Sequence, residues 1–205
     1  AEEKSQAEQP TAIPSDINSQ ATRWAWSQFS GDRRKVEVVA DSFRQAKETF
    51  LFDLGGVELK IFHEDGAAFD YVVTEAAQFD TRSETLFSEG EVRLSLGVPA
   101  EESDPWSSEY TKIRSSGVTF ETRTGVATTE RYTEYEFAGG IARSVGVRYD
   151  SPHRYVRMES QVYVERFPSG PHRPAVKIRS NKLHYYEDGQ RVHLVGDVSF
   201  ERGSQ

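Results

Sequence analysis

The chain has 205 residues, of which 36% are hydrophobic, 12% are aromatic and 28% are charged, and its formal net charge is −8 at pH 7. This acidic balance argues against nucleic acid as a main partner, because phosphate binding needs a basic face. The absence of cysteine excludes disulfide scaffolds and thiolate metal sites. No run of apolar residues approaches the roughly 20 that would span a bilayer.

The N-terminal segment is polar, is interrupted by prolines and has no hydrophobic period. We therefore predict that residues 1–22 form a flexible linker and that residues 23–205 form the folded part. Since the chain starts at Ala1 rather than at a methionine, we expect that a signal or membrane anchor preceded this linker.

Alternating apolar and polar residues dominate the sequence from Trp24 onward. Val36 and Val38 alternate with charged residues, and so do Leu59 and Ile61. This period of two is typical of antiparallel strands with one buried face, and no stretch keeps a helical period over three turns. The sequence therefore predicts an all-β protein. Turn signals separate the strands at Gly55-Gly56, Asp65-Gly66, Glu89-Gly90, Thr124-Gly125, Gly139-Gly140, Asp150-Ser151-Pro152 and Asp188-Gly189.

A long acidic segment, residues 99–108, divides the folded part into sub-halves of about 23–98 and 109–205. We interpret this segment as a surface loop between strands. Its Trp106 is predicted to dock on the sheet and to fix the loop in place. Contact of Trp106 with lipid or with a partner is the alternative.

An internal repeat runs through the folded part. Each copy starts with an aromatic residue, reaches a valine 13 or 14 residues later, and has an apolar residue two places further on. A fifth, degenerate copy starts at Phe120 and passes through Thr133. Such self-similarity is typical of one unit repeated so that neighbours bury each other's apolar faces, and it predicts an interior along the whole stack. The four regular copies run from Phe43 to Val57, Phe79 to Val92, Tyr149 to Val162 and Tyr185 to Val198.

The sequence carries no pattern that is typical of a catalytic, cofactor or metal site, and we predict none. Motifs of serine hydrolases, of nucleotide-binding loops and of zinc-binding helices are all missing from it. His184 and His193 flank the last predicted hairpin, where two solvated strand histidines are a simpler interpretation than a metal pair. The basic run Arg33-Arg34-Lys35 is interpreted as a strand edge, with docking to anionic membrane head groups as the alternative.

Five phrases of the folded part share a pattern of strand, glycine and strand. In this pattern the chain resembles, over about residues 23–202, the periplasmic lipopolysaccharide-transport proteins of the LptC, LptA and OstA-like families. It resembles the LptC type most, because a linker precedes its first strand where a transmembrane anchor would sit. The phrases are A-D-S-F-R-Q…L-G-G-V-E-L-K-I (40–61), A-A-Q-F-D…L-F-S-E-G-E-V-R-L-S-L (76–96), G-V-T-F-E-T-R-T-G-V-A-T-T (117–129), S-V-G-V-R-Y-D…M-E-S-Q-V-Y-V (144–164) and S-N-K-L-H-Y-Y…V-H-L-V-G-D-V-S-F (180–200).

The resemblance implies a twisted, incompletely closed antiparallel β-jelly roll, V-shaped in section, with an apolar interior groove for the acyl chains of lipid A. It implies non-enzymatic binding of lipopolysaccharide and its transfer across the periplasm. We therefore expect the N-terminal edge to meet an inner-membrane ABC exporter and the C-terminal edge to meet an LptA-like bridge protein. We also expect a periplasmic protein, tethered to the inner membrane by the N-terminal anchor.

The phase of the strands assigns the residues of the groove. An unclosed sheet with no helix to cover it leaves apolar residues facing each other across a groove, which favours lipid binding on physical grounds as well. Two alternatives stay open: a secreted jelly-roll or solenoid protein that acts on carbohydrate, and a structural module whose interior is full. The predicted lipid-binding residues are Phe50, Phe52, Leu59, Ile61, Phe79, Leu94, Phe120, Phe137, Tyr149, Val164, Tyr185 and Phe200.

Overall fold

The computed structural model describes residues 17–46, 50–170, 172–186 and 191–203. These residues form one antiparallel sheet of 14 strands, and the predicted all-β fold is confirmed. Within these ranges no helix is long and apolar enough to cross a membrane. The strands are β1 (Ile17–Ala21), β2 (Trp24–Ser30), β3 (Arg33–Ala46), β4 (Leu51–Phe62), β5 (Ala68–Asp80), β6 (Thr85–Pro99), β7 (Thr111–Glu121), β8 (Val126–Phe137), β9 (Gly140–Asp150), β10 (Tyr155–Arg166), β11 (Val176–Ser180), β12 (Lys182–Tyr186), β13 (Arg191–Val195) and β14 (Ser199–Arg202).

The sheet is a meander from β3 to β10, in which each strand pairs with its neighbours in sequence. At the first end, β1 and β2 pair with different halves of β3. At the last end, β11 and β12 pair with different halves of β10, and they continue to β14 and β13, respectively. Among the described strands no pairing connects the two ends, so the sheet is open.

A line of β-bulges crosses the sheet about halfway along its strands. The register shifts between Thr74 and Gln78 of β5, and a comparable shift occurs in each following pair as far as β9 and β10. A bulge bends its strand and increases the local twist. At the bulges, backbone carbonyls that do not pair with the neighbouring strand accept hydrogen bonds from side-chain hydroxyls instead. The Thr129 hydroxyl, for example, donates to the Ser116 carbonyl at 2.7 Å.

The bulge line divides the sheet into two layers whose inner faces share one core. Layer A contains the strand halves next to the β2–β3, β4–β5, β6–β7, β8–β9 and β10–β11 connections, together with β2, β11 and β14. Layer B contains the other strand halves, together with β1, β12 and β13. The result is the predicted twisted, incompletely closed jelly roll.

Two rows of cross-strand neighbours form most of the inner face, because directly opposed residues of antiparallel strands point to the same side. The sequence repeat generates these rows: the apolar positions that follow its valines fall in row A, and most of its initial aromatic residues fall in row B. Row A, in layer A, consists of Trp26, Val38, Leu59, Val72, Leu94, Ile113, Tyr135, Ala142, Val164, Ile178 and Phe200. Row B, in layer B, consists of Phe52, Phe79, Leu86, Phe120, Ala127, Tyr149, Val156, Tyr185 and Val192.

The boundary of the N-terminal linker differs from the prediction. Residues 17–21 form β1, whose backbone pairs with the end of β3. Backbone pairing of this kind needs no apolar alternation, which explains why the polar sequence INSQA gave no strand signal. The predicted linker residues 1–16 lie outside the described residues.

Two of the predicted turns are wrong. Gly55-Gly56 lies inside β4 and Glu89-Gly90 lies inside β6, both close to the bulge line. Gly56 has a φ of +62°, a conformation that glycine provides for bulges as well as for turns. The connection from β5 to β6 is instead stabilised by Asp80, whose carboxylate accepts from the backbone N–H of Arg82 at 2.8 Å. The predicted turn at Asp188-Gly189 lies outside the described residues.

The acidic loop joins β6 to β7, and these two strands pair over most of their length, so the predicted sub-halves belong to one sheet. The docking of Trp106 is confirmed. Its ring lies 5.6 Å from the ring of Tyr71 on the outer face, and the guanidinium of Arg93 lies 5.3 Å from its centroid. With Phe69 and Val98 these rings form an apolar cluster that holds the loop against layer A.

Candidate functional site: the interior between the two layers

The interior contains ten of the twelve predicted lipid-binding residues. Their side chains converge because the two layers turn their inner faces toward each other. Six of them are buried in the core: Leu59, Ile61, Phe79, Leu94, Phe120 and Tyr149. Four are partly buried against it: Phe52, Phe137, Val164 and Tyr185.

Phe50 does not reach the interior, and its predicted placement there is wrong. It precedes β4, its side chain is half-exposed, and the guanidinium of Arg82 lies 4.0 Å from the centroid of its ring. β4 begins only at Leu51, so the alternation of side chains along the strand does not fix the direction of the Phe50 side chain.

The N-terminal end of the interior is filled by aromatic rings. Trp24 stacks on Phe43 with the ring centroids 6.1 Å apart. Trp26 of layer A lies 5.2 Å from Phe79 of layer B, and Phe79 is only 1% exposed. These contacts join the two layers directly, and they leave little surface for a ligand at this end.

The C-terminal end of the interior is open to solvent. Row A ends at Phe200, which is 63% exposed, and row B ends at Val192, which is 51% exposed. Both residues lie on the inner face by register, but β14 and β13 extend separate halves of the sheet. The apolar surface of the core therefore continues without interruption from the buried middle to an accessible end.

A buried carboxylate links the two layers, and sequence reasoning missed it. Asp70 of layer A is fully buried and accepts the backbone N–H of Gly97 at 3.0 Å. Its other oxygen accepts the hydroxyls of Tyr149 and Ser151 of layer B, the latter at 2.8 Å. Nε2 of His63 lies 3.0 Å from the first oxygen. The signal in the sequence was a lone aspartate at an inner-face position of an apolar strand.

This network has the wrong connectivity for a serine nucleophile. In a catalytic triad the histidine stands between the serine and the carboxylate, and it removes the proton from the serine. Here the carboxylate of Asp70 stands between Ser151 and His63. The arrangement thus orients the hydroxyl toward the carboxylate and holds the layers together. It gives Ser151 no histidine base.

The described residues also include no group of three or more histidine, aspartate and glutamate side chains that could hold a metal ion. His184 and His193 do face each other across β12 and β13, as the sequence allowed. The ring of His184 contacts the Tyr155 hydroxyl at 3.1 Å, and the ring of His193 packs near Tyr186. Both histidines therefore have aromatic neighbours.

No family model matches the chain, and no curated protein matches it at a significant level of sequence similarity. The functional assignment therefore depends on the geometry of the interior and on the sequence phrases that resemble the lipopolysaccharide-transport proteins.

Proposed function

We propose that this protein binds the acyl chains of lipopolysaccharide between its two β layers and passes the lipid across the periplasm without converting it chemically. The observation that carries the proposal is the continuity of the inner face. Row A and row B cross the sheet without a charged residue and end at the exposed side chains of Phe200 and Val192. The resemblance of the repeat to the transport proteins supplies the identity of the lipid.

The energetics of such a site need no catalytic group. Covering apolar surface with an acyl chain stabilises the complex by about 25 cal/mol for each Å² removed from water. The accessible apolar surface lies at the C-terminal end, where Val164 and Tyr185 are partly buried and Phe200 is exposed. We infer that acyl chains contact this end first and separate the layers toward the tightly packed middle.

The ends of the sheet supply the proposed docking sites for partners. β1 and β2 stand at one end, and β13 and β14 stand at the other. An end strand offers backbone donors and acceptors to a strand of another protein. We propose that the N-terminal end meets the inner-membrane ABC exporter and that β14 meets an LptA-like bridge protein, which would make the two interiors continuous.

The binding proposal is tested by loading the protein with a fluorescent fatty acid and displacing the probe with lipid A. We expect saturable uptake and displacement. Phe200→Glu should weaken uptake about tenfold, because it places a charge on the exposed part of the apolar face. Glu201→Gln is the matched control, since Glu201 is the next residue and pairs with Arg179 on the outer face. Uptake that is absent, or equally weakened in both variants, would contradict the proposal.

The docking proposal is tested by a truncation after Val198, which removes β14 and leaves β11 as the end strand of layer A. The truncated protein should still take up the fluorescent fatty acid through Tyr185 and Val164, but it should no longer capture the bridge protein in a pull-down. Capture with unchanged affinity would show that β14 is not the docking strand.

A structural module with a full interior is the second candidate, and the burial of Phe79 at 1% exposure and Leu59 at 2% favours it. The same loading experiment separates the two. A structural module takes up no probe, whereas a lipid-binding protein takes up an amount of probe that saturates in proportion to the protein concentration.

A further inference from the structure

A cavity of about 300 Å³ lies where the tips of the two layers meet, and we call it the mouth cavity. Layer A contributes the β2–β3 and β4–β5 connections, and layer B contributes the β7–β8 and β9–β10 connections. His63 and Ser151, which both contact the Asp70 carboxylate, form part of its wall. The interlayer hydrogen bonds therefore fix the two sides of the cavity relative to each other. Its volume is at the lower end of the range typical of small-ligand sites.

The wall of the mouth cavity is basic, although the chain as a whole has a net charge of −8. Four basic residues line it, Arg33, Arg34, Lys35 and Arg154, against two acidic residues, Glu64 and Asp65. A concave site lined by one sign of charge concentrates ions of the opposite sign.

The cations at the wall differ in how they are held. Arg33 donates from its guanidinium to the backbone carbonyl of Glu64, which anchors it at the rim. Arg34 pairs with Glu37 at 3.0 Å. Lys35 is half-buried, and within the described part of the chain it takes part in no ion pair. Asp65 uses its carboxylate to accept the Ala67 N–H at 2.9 Å, inside its own turn. Lys35 is thus a lining residue of the cavity whose charge is paired with no carboxylate of the described residues.

The cavity also has an apolar side, formed by Val36 and Ile61. Val36 is 1% exposed and Ile61 is 4% exposed, and both belong to the core between the layers. Cations at the rim with apolar side chains below them match a ligand that has an anionic head and an apolar body. A phosphate monoester fits the cations better than a carboxylate does, because it carries more charge and three acceptor oxygens.

We propose that the mouth cavity binds the phosphate group of an amphiphile, with Arg33 and Lys35 as its main cationic contacts. The inference deepens the proposed function and rests on it for the identity of the natural ligand. The binding of phosphate itself depends only on the cavity. The acidic net charge of the chain would otherwise favour recognition through the acyl chains alone. The excess of basic residues at the mouth cavity therefore indicates where a phosphorylated head group can bind.

The test measures binding by titration calorimetry with three probes: inorganic phosphate, dihexanoyl phosphatidic acid and dihexanoyl phosphatidylcholine. We compare Lys35→Ala with Lys177→Ala, which removes the same charge from a half-buried strand position on β11. Lys35→Ala should raise the Kd for phosphatidic acid about tenfold, as expected for the loss of one charged hydrogen bond. Lys177→Ala should leave the Kd unchanged. Melting temperatures check that both variants fold, and Arg33→Lys provides a second variant of the cavity.

The outcomes identify the source of the phosphate. Binding of phosphatidic acid without binding of inorganic phosphate supports a lipid head-group site, and binding of both supports a general phosphate site. Equal effects of Lys35→Ala and Lys177→Ala, or equal binding of phosphatidic acid and phosphatidylcholine, would overturn the inference. Uptake of the fluorescent fatty acid is followed in parallel. Binding of either phosphate probe without fatty acid uptake refutes the proposed function and leaves the cavity site standing, whereas fatty acid uptake without binding of inorganic phosphate or phosphatidic acid refutes the cavity site alone.

Discussion

Replacing Asp70 by alanine should lower the free energy of unfolding by about 3–5 kcal/mol, because the buried groups that donate to its carboxylate then lose their common acceptor. Asp70 is fully buried and accepts from Gly97, Tyr149 and Ser151, with His63 in contact. Each donor left without a partner in the interior costs about 1–3 kcal/mol, and partial relaxation and hydration reduce the sum. For a 205-residue chain the loss corresponds to a Tm lower by about 6–20 °C.

The assay is urea unfolding followed by tryptophan fluorescence, since Trp24 and Trp26 lie against the interlayer core. Asp53→Ala is the control, because Asp53 forms an exposed ion pair with Arg44 at 3.4 Å and should contribute less than about 1 kcal/mol. A double-mutant cycle with Tyr149→Phe should give a coupling energy of about 1–3 kcal/mol. Equal losses for Asp70→Ala and Asp53→Ala, or a coupling energy near zero, would refute the role of Asp70 as an interlayer link.

Two further predictions concern the bulge line and the core. Gly146→Val should lower the free energy of unfolding by more than about 1 kcal/mol, because Gly146 has a φ of +76° and the added Cβ would lie 3.0 Å from Glu159. Gly90→Val is the control in the same urea assay. It should cost much less, because the space around Gly90 is open. Stability should also fall as the pH rises above about 10, because burial raises the pKa of Tyr135 well above its usual value, against the opposing effect of its hydrogen bond to Ser144. The folded state then holds the phenol proton more tightly than the unfolded state does, so the stabilisation is complete below the unfolded pKa and is lost at higher pH. Tyr135→Phe should flatten this part of the stability curve, and an unchanged slope would exclude Tyr135 as its source.

The sequence repeat predicted the inner face well because its spacing matches the number of residues from the inner face of layer B, around a β-hairpin, to the inner face of layer A. A copy starts at an aromatic residue of layer B, such as Phe79, and reaches the bulge line at its valine, Val92. The apolar residue two places on, Leu94, then lies in row A. Strand length and the alternation of side chains depend only on residues close together in the chain, so both can be predicted from a single sequence. The same regularity placed Phe200 on the inner face although it is largely exposed.

The features that sequence reasoning missed depend on contacts between distant residues or on ambiguous signals. Glycine pairs mark positive φ in both turns and bulges, so Gly55-Gly56 was indistinguishable from a turn. Asp70 meets Tyr149 and Ser151 from positions 79 and 81 residues away, and nothing near Asp70 indicates that partnership. The basic mouth cavity likewise forms only when the connections of the two layers meet.

The most direct test of lipid binding between the layers is photocrosslinking with purified lipopolysaccharide. A photoreactive residue is placed at Phe200 or Val164, on the inner face, and at Glu201 or Glu165, the next residue of the same strand on the opposite face. The proposed function predicts lipid adducts at Phe200 and Val164 in large excess over Glu201 and Glu165, with competition by unlabelled lipid A. Equal adduct formation at the inner and outer positions, or none at either, would contradict it.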